Sequence, residues 1–152
     1  MMNNDTKEKI LVKTRDFDEI EVSRKDIITF PNGIFAFEEY SEYIFITPLG
    51  DGKYPIWLQS VENQNLCFIL FNPFEFCADY RVTVMDEDVS VLDMDNDADA
   101  RFYVIAVVPD NAMDATVNMK SPIIVNSKNN KAVQVIAADD YPIKFPVFAK
   151  NE

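Results

Sequence analysis

The sequence predicts an all-β, mostly β fold: a small antiparallel β-barrel-like or sandwich domain with at most short helices. Short runs rich in β-branched and aromatic residues recur along the chain. Turn signals of known mechanism separate them. Gly is scarce, at three of 152 residues, while 12 Phe, six Tyr and one Trp within a 48% apolar composition supply a core without metal or disulfide.

The first half reads as strands over Lys9 to Thr14, Glu19 to Val22, Ile27 to Phe30, Tyr43 to Pro48, Trp57 to Ser60 and Leu66 to Phe71. The second half continues with Arg81 to Val84, Arg101 to Val108, Ala115 to Asn118, Ile123 to Asn126 and Lys131 to Ile136. Pro31-Asn32-Gly33, Gly50-Asp51-Gly52, Asn72-Pro73, Pro109-Asp110-Asn111 and Asn129-Asn130 mark turns between them. That spacing suits hairpins. Parallel units would need helical crossovers of about a dozen residues, and only Phe37 to Tyr43 and Asp86 to Asp93 have room for even short helices. With no repeat, linker or low-complexity tract, residues 1–152 read as one domain. Pro142 and Pro146 make 141–152 an extended C-terminal tail outside any central strand.

Composition argues against catalysis. The chain has no His, which removes the commonest general base and metal ligand and every Ser-His or Cys-His arrangement. P-loop, GxGxxG, GxSxG and HExxH motifs are absent, so no catalytic residue and no cofactor is assigned. Cys67 and Cys77, ten residues apart without CxxC spacing, read as buried thiols. Residues 1–15 lack the apolar region of an export signal and no later run spans a membrane, which points to the cytoplasm; Asn4-Asp5-Thr6 then fits the glycosylation pattern without consequence. A formal net charge of −12 repels phosphate backbones, which argues against direct nucleic-acid binding, and favours encounter with a basic protein, although plain solubility explains the same charge.

The segment 86–99 gathers Asp86, Glu87, Asp88, Asp93, Asp95, Asp97 and Asp99 with no basic residue between them. Asp93-Met94-Asp95-Asn96-Asp97 matches the start of an EF-hand loop, but Ala98 and Val104 stand where that loop needs Gly and a bidentate Glu. A solvated acidic loop is the plain reading. A calcium-dependent or glycan-directed β-sandwich using this loop is the alternative to a protein-binding role.

Several segments together resemble the FliW family of bacterial flagellar assembly factors. The run Asp16 to Glu39 matches a strand of the form G-E-I-E-V and a block I-T-F-P-x-G-I-P-G-F-E, departing at Asp18, Phe35 and Ala36. Further matches are Trp57-Leu58-Gln59-Ser60, Asn72-Pro73-Phe74 with Asp79-Tyr80, Thr116-Val117-Asn118 leading to Ser121-Pro122-Ile123-Ile124-Val125-Asn126, and Gln134-Val135, in family order. The resemblance implies a non-enzymatic β-barrel-like protein that binds flagellin and, alternatively, the translational regulator CsrA. Flagellin occupies the factor while subunits accumulate; once flagellin is exported the factor is free to inhibit CsrA, and flagellin translation resumes.

Two places are the candidate partner contacts. Asn118, Lys120 and Ser121 beside Pro122 and Ile123 combine a strand end with polar and apolar groups, as a recognition edge does; Pro122 protecting an edge strand while Ile123 packs inward explains the same residues. Phe35, where the family has Pro, is an aromatic able to anchor a partner or to pack. Trp57, Phe74 and Tyr80 are assigned to the core.

Overall fold

The computed structural model describes residues 8–148; the Asn4-Asp5-Thr6 motif and the end of the tail lie outside them. Eleven strands form among the described residues: β1 Lys9–Val12, β2 Ile20–Ser23, β3 Ile28–Thr29, β4 Glu42–Ile46, β5 Ile56–Ser60, β6 Cys67–Phe71, β7 Ala100–Val107, β8 Thr116–Val117, β9 Ile123–Asn126, β10 Lys131–Gln134 and β11 Phe145–Pro146. A single turn of α-helix, α1, covers Asp86–Val89.

Seven strands close a barrel in the order β3-β4-β5-β6-β7-β9-β10, with β10 returning to β3. Closure decides between the two architectures left open above. Every neighbouring pair is antiparallel except β10 with β3, which meet in parallel at Lys131 and Thr29. The long β7 serves two partners on one edge: Ala100–Tyr103 pair with β9, and Ala106–Val107 pair with β8. Beyond β8 lies β11, so Pro146 sits on an outer strand, where a missing N–H costs the ladder least.

Alternation places the interior. Phe30, Tyr43, Leu58, Leu70, Ile123 and Ala132 are fully buried and pack with Ile28 and Ile34. The lumen is therefore filled by side chains, as expected of a small barrel. Phe30 and Tyr43 meet edge to face at 5.2 Å. The Tyr43 hydroxyl has no hydrogen-bond partner although it is buried, and burial raises its pKa well above the usual phenol range. Removing an unpaired buried hydroxyl relieves its desolvation cost. Tyr43→Phe is accordingly expected to leave stability unchanged or to raise it by up to about 1 kcal/mol in urea unfolding, against the loss that deleting a bonded hydroxyl brings.

Other clusters lie outside the lumen. The β1–β2 hairpin covers one face of the barrel, its Val12, Ile10 and Val22 clustering with Ile27 and Ile44. Tyr80, Val104, Val117 and Met119 pack under β11; Tyr80 donates its hydroxyl to the Met119 carbonyl at 2.8 Å and its ring packs at a tilt against Tyr141, 4.7 Å between centroids. Leu92, Ile124, Val133 and Val135 form the floor beneath the acidic segment.

Several expectations need correcting. Arg81 to Val84 forms no strand, because the Asp139 carboxylate takes the Thr83 N–H at 2.7 Å and leaves Ala138 N–H to Thr83 C=O as the ladder-like bond. Those donors, the Thr83 N–H first, hold the Asp139 carboxyl below its ordinary pKa. Phe37 to Tyr43 forms no helix: Phe37 bridges Ile34, Glu38 and Glu39 turn, and Glu42 and Tyr43 open β4. Phe74 is 42% exposed, its ring edge-packed on Tyr80 and Phe102 at the rim of a turn that Asn72 caps. Trp57 is half-buried, with its ring N–H donated to Asp16 at 3.0 Å.

Cys67 is buried but Cys77 only half-buried, so the second thiol is not fully enclosed. Burial pushes the Cys67 thiol up to about 11. Only the thiolate attacks. Cys67 is expected to resist iodoacetamide at pH 8 in the native protein and to react once urea unfolds it, as mass spectrometry of the labelled peptide would read.

Candidate partner-binding surface

The turn after β3 is set by its backbone. Pro31-Asn32-Gly33 brings Gly33 to φ +71 with its Cα against Glu38, where an added Cβ would stand 2.5 Å from the Glu38 Cα. Gly33 N–H returns to Phe30 C=O and Phe37 N–H to Ile34 C=O. Between these bonds the chain turns outward, leaving Phe35 43% exposed. Ala36 adopts φ 72. The family resemblance puts Gly at this position, so the glycine-type backbone persists although the residue is Ala. A left-handed conformation costs a residue with a Cβ about 1–2 kcal/mol. Ala36→Gly is expected to raise stability by about 0.5–1 kcal/mol in thermal unfolding, the reverse of the usual effect of adding glycine.

The turn is tied to the second predicted segment by one side chain. Gln134, buried at the end of β10, accepts the Phe35 N–H at 3.0 Å on Oε1 and donates from Nε2 to the Ser121 carbonyl at 3.2 Å. Phe35 and Ser121, 86 positions apart in sequence, thus share a neighbour.

The Asn118 to Ile123 segment is the crossover from β8 to β9, and its polar groups are turned to holding that crossover. Asn118 Oδ1 accepts the N–H groups of Lys120 and Ser121 at 3.0 and 3.1 Å. Lys120 donates its amine to the Asp139 carbonyl at 2.7 Å, and its own carbonyl accepts the Ala137 N–H. Pro122 is buried and its carbonyl accepts the Val135 N–H. Ile123 is 0% exposed inside the barrel, the inward packing that Pro122 and the strand end also allowed. Asn118, Lys120 and Ser121 remain half-buried at the surface.

Beside Phe35 a groove of about 340 Å³ opens, lined by Asn32, Gly33 and Phe35 on one side, Glu87 and Asp88 of α1 on the other, and Val133 to Ile136 along the base. Ile136 is 61% exposed. Of this groove the sequence points to Phe35; Glu87, Asp88, Gln134 and Ile136 join it only in the folded chain. The available signal was Pro31, which cannot donate the next bond of a parallel ladder.

Metal binding by the acidic segment finds no geometry: among the described residues no three Asp or Glu come together as a metal-holding group. Asp93 is instead paired with Lys131 at 2.5 Å, and the segment folds as α1 and short 3₁₀ turns. No described helix is long and apolar enough to cross a membrane.

Comparison with known proteins agrees with this architecture. The model of the FliW protein family matches residues 10–147. The flagellar assembly factor FliW of Caldicellulosiruptor bescii is 37% identical over 142 residues, covering 93% of this chain and 92% of that protein. The flagellar assembly factor FliW of Ruminiclostridium cellulolyticum is 39% identical over 136 residues, covering 89% and 92%. A crystal structure of the flagellar assembly factor FliW superposes with a TM-score of 0.86 at 29% identity, covering 94% of this chain and all of that one. With its fold, its ordered motifs and nearly its whole length in common with these proteins, the chain belongs to the FliW family of flagellar assembly factors.

Proposed function

We propose that this chain is a non-enzymatic partner switch that binds flagellin and, in alternation, CsrA. While unexported flagellin accumulates it occupies the factor and CsrA represses flagellin translation. Export of flagellin then frees the factor to capture CsrA, and repression lifts. The exchange takes place in the cytoplasm, where flagellin is made.

The observation that carries this reading is membership of a flagellar assembly family in a barrel whose lumen is filled. Recognition therefore falls to the outer surface. A net charge of −12 supports it, because a protein that binds RNA phosphates carries the complementary sign. So does the pairing of exposed Phe35 and Ile136 with Glu87 and Asp88 in one groove.

Affinity recovery of the tagged chain from cells held before and after flagellin export tests the reading. Flagellin is expected to come with it before export and CsrA after. Recovery of neither protein in either state would overturn it.

A further inference from the structure

The wall of the barrel is incomplete between β3 and β10. Alternate residues of an antiparallel strand point their N–H and C=O groups to opposite edges. On β10 and its continuation the odd-numbered residues serve β9, as Val135 N–H bonded to Pro122 C=O and Ala137 N–H bonded to Lys120 C=O show. The even-numbered residues face β3. There Thr29 N–H bonds Asn130 C=O and the strands pair at Lys131 and Thr29.

The next donor along β3 would come from position 31, which is Pro31 and has none. The chain then leaves for the Phe35 turn. Contact on this edge resumes only where Ala138 N–H meets Thr83 C=O. Among the described residues no backbone partner reaches Gln134 or Ile136 on this side. The open stretch coincides with the 340 Å³ groove.

We infer that the open β10 edge at Gln134–Ile136 receives an extended segment of a protein partner as an added strand, with a Lys or Arg of that segment set against Glu87 and Asp88. An unpaired edge offers a partner main-chain hydrogen bonds, and flanking side chains supply selectivity. Phe35 and Ile136 provide the apolar flank. The groove lining contains two carboxylates and no basic side chain, which fixes the sign of the incoming charge. The guanidinium or ammonium group also gains the face of the Phe35 ring. This inference rests on the partner-binding reading above.

The test uses the full chain and purified full-length CsrA, with residue-resolved amide exchange by NMR and affinities by calorimetry. In the free protein the Ile136 amide is expected to exchange faster than the bonded Val135 amide beside it. Adding CsrA is expected to slow Ile136 at least tenfold, and Glu87→Lys with Asp88→Lys to weaken binding at least tenfold. Ile136→Pro, which deletes the edge donor without touching the β9 ladder, is expected to weaken it similarly; if that variant fails to fold, the exposed charge pair still decides. Binding by the wild-type chain with Ile136 exchange unmoved, or with the charge-reversed variant binding as tightly as wild type, would overturn the groove while leaving partner binding intact. Absence of any wild-type binding to CsrA would overturn both.

Discussion

Gly33→Ala is expected to destabilise the protein by about 3–5 kcal/mol, combining a positive-φ cost of about 1–2 kcal/mol with a backbone collision. An alanine Cβ would lie 2.5 Å from Glu38 Cα, 2.8 Å from its carbonyl oxygen and 2.9 Å from its carbonyl carbon. All three are main-chain atoms, so no rotamer change relieves them. For a chain of this size the loss lowers the melting temperature by roughly 10 °C or more. Gly33→Asn separates the two causes, since Asn tolerates left-handed backbone but carries the same Cβ. It is expected to fall nearly as far as Ala; recovery to wild-type stability would show that conformation, not collision, fixes the residue.

Ile123→Asp is expected to unfold the barrel, at a cost of about 4 kcal/mol or more, because a carboxylate in the filled lumen finds no partner. The side chain is fully buried with Phe30, Tyr43, Leu58 and Leu70. Its carboxyl would either stay neutral at a raised pKa or stay charged without compensation, and both states favour the unfolded chain. Ile123→Val, which deletes one methylene, is expected to cost only about 0.5–1.5 kcal/mol in urea unfolding. Wild-type stability for the Asp variant would mean that the side chain faces solvent. Loss of partner binding in that variant reports on folding, and recognition is better read from Phe35, Glu87 and Asp88.

Strand positions were legible because period-two alternation is local. Ile123–Asn126 matches the sequence reading to the residue, and the strands from β1 to β10 otherwise differ at their ends by a residue or two, while β11 falls in the segment read as an extended tail. Arg81 to Val84 shares the same residue types, but its donor is taken by Asp139, 56 positions away, a competition that no short window contains. Phe74, a core assignment from the sequence, is exposed because the Asn72-capped turn holds it at the rim.

Barrel closure was not legible. It depends on β7 meeting β9 and on a single parallel bridge between Thr29 and Lys131, pairings between segments separated by long connections. The surface groove shares that origin, since positions 32–35, 87–88 and 133–136 converge only after closure. In the Asn118 to Ile123 segment, Asn118 and Lys120 hydrogen-bond the chain's own backbone, contacts that polar composition does not specify.

The most direct test of the partner switch is a titration of flagellin into the preformed complex of this chain with CsrA, followed by size-exclusion chromatography of the mixture. Stoichiometric release of CsrA as a flagellin complex replaces it is the expected result. A stable ternary complex of all three proteins, or a chain that holds CsrA unchanged at saturating flagellin, would contradict the account.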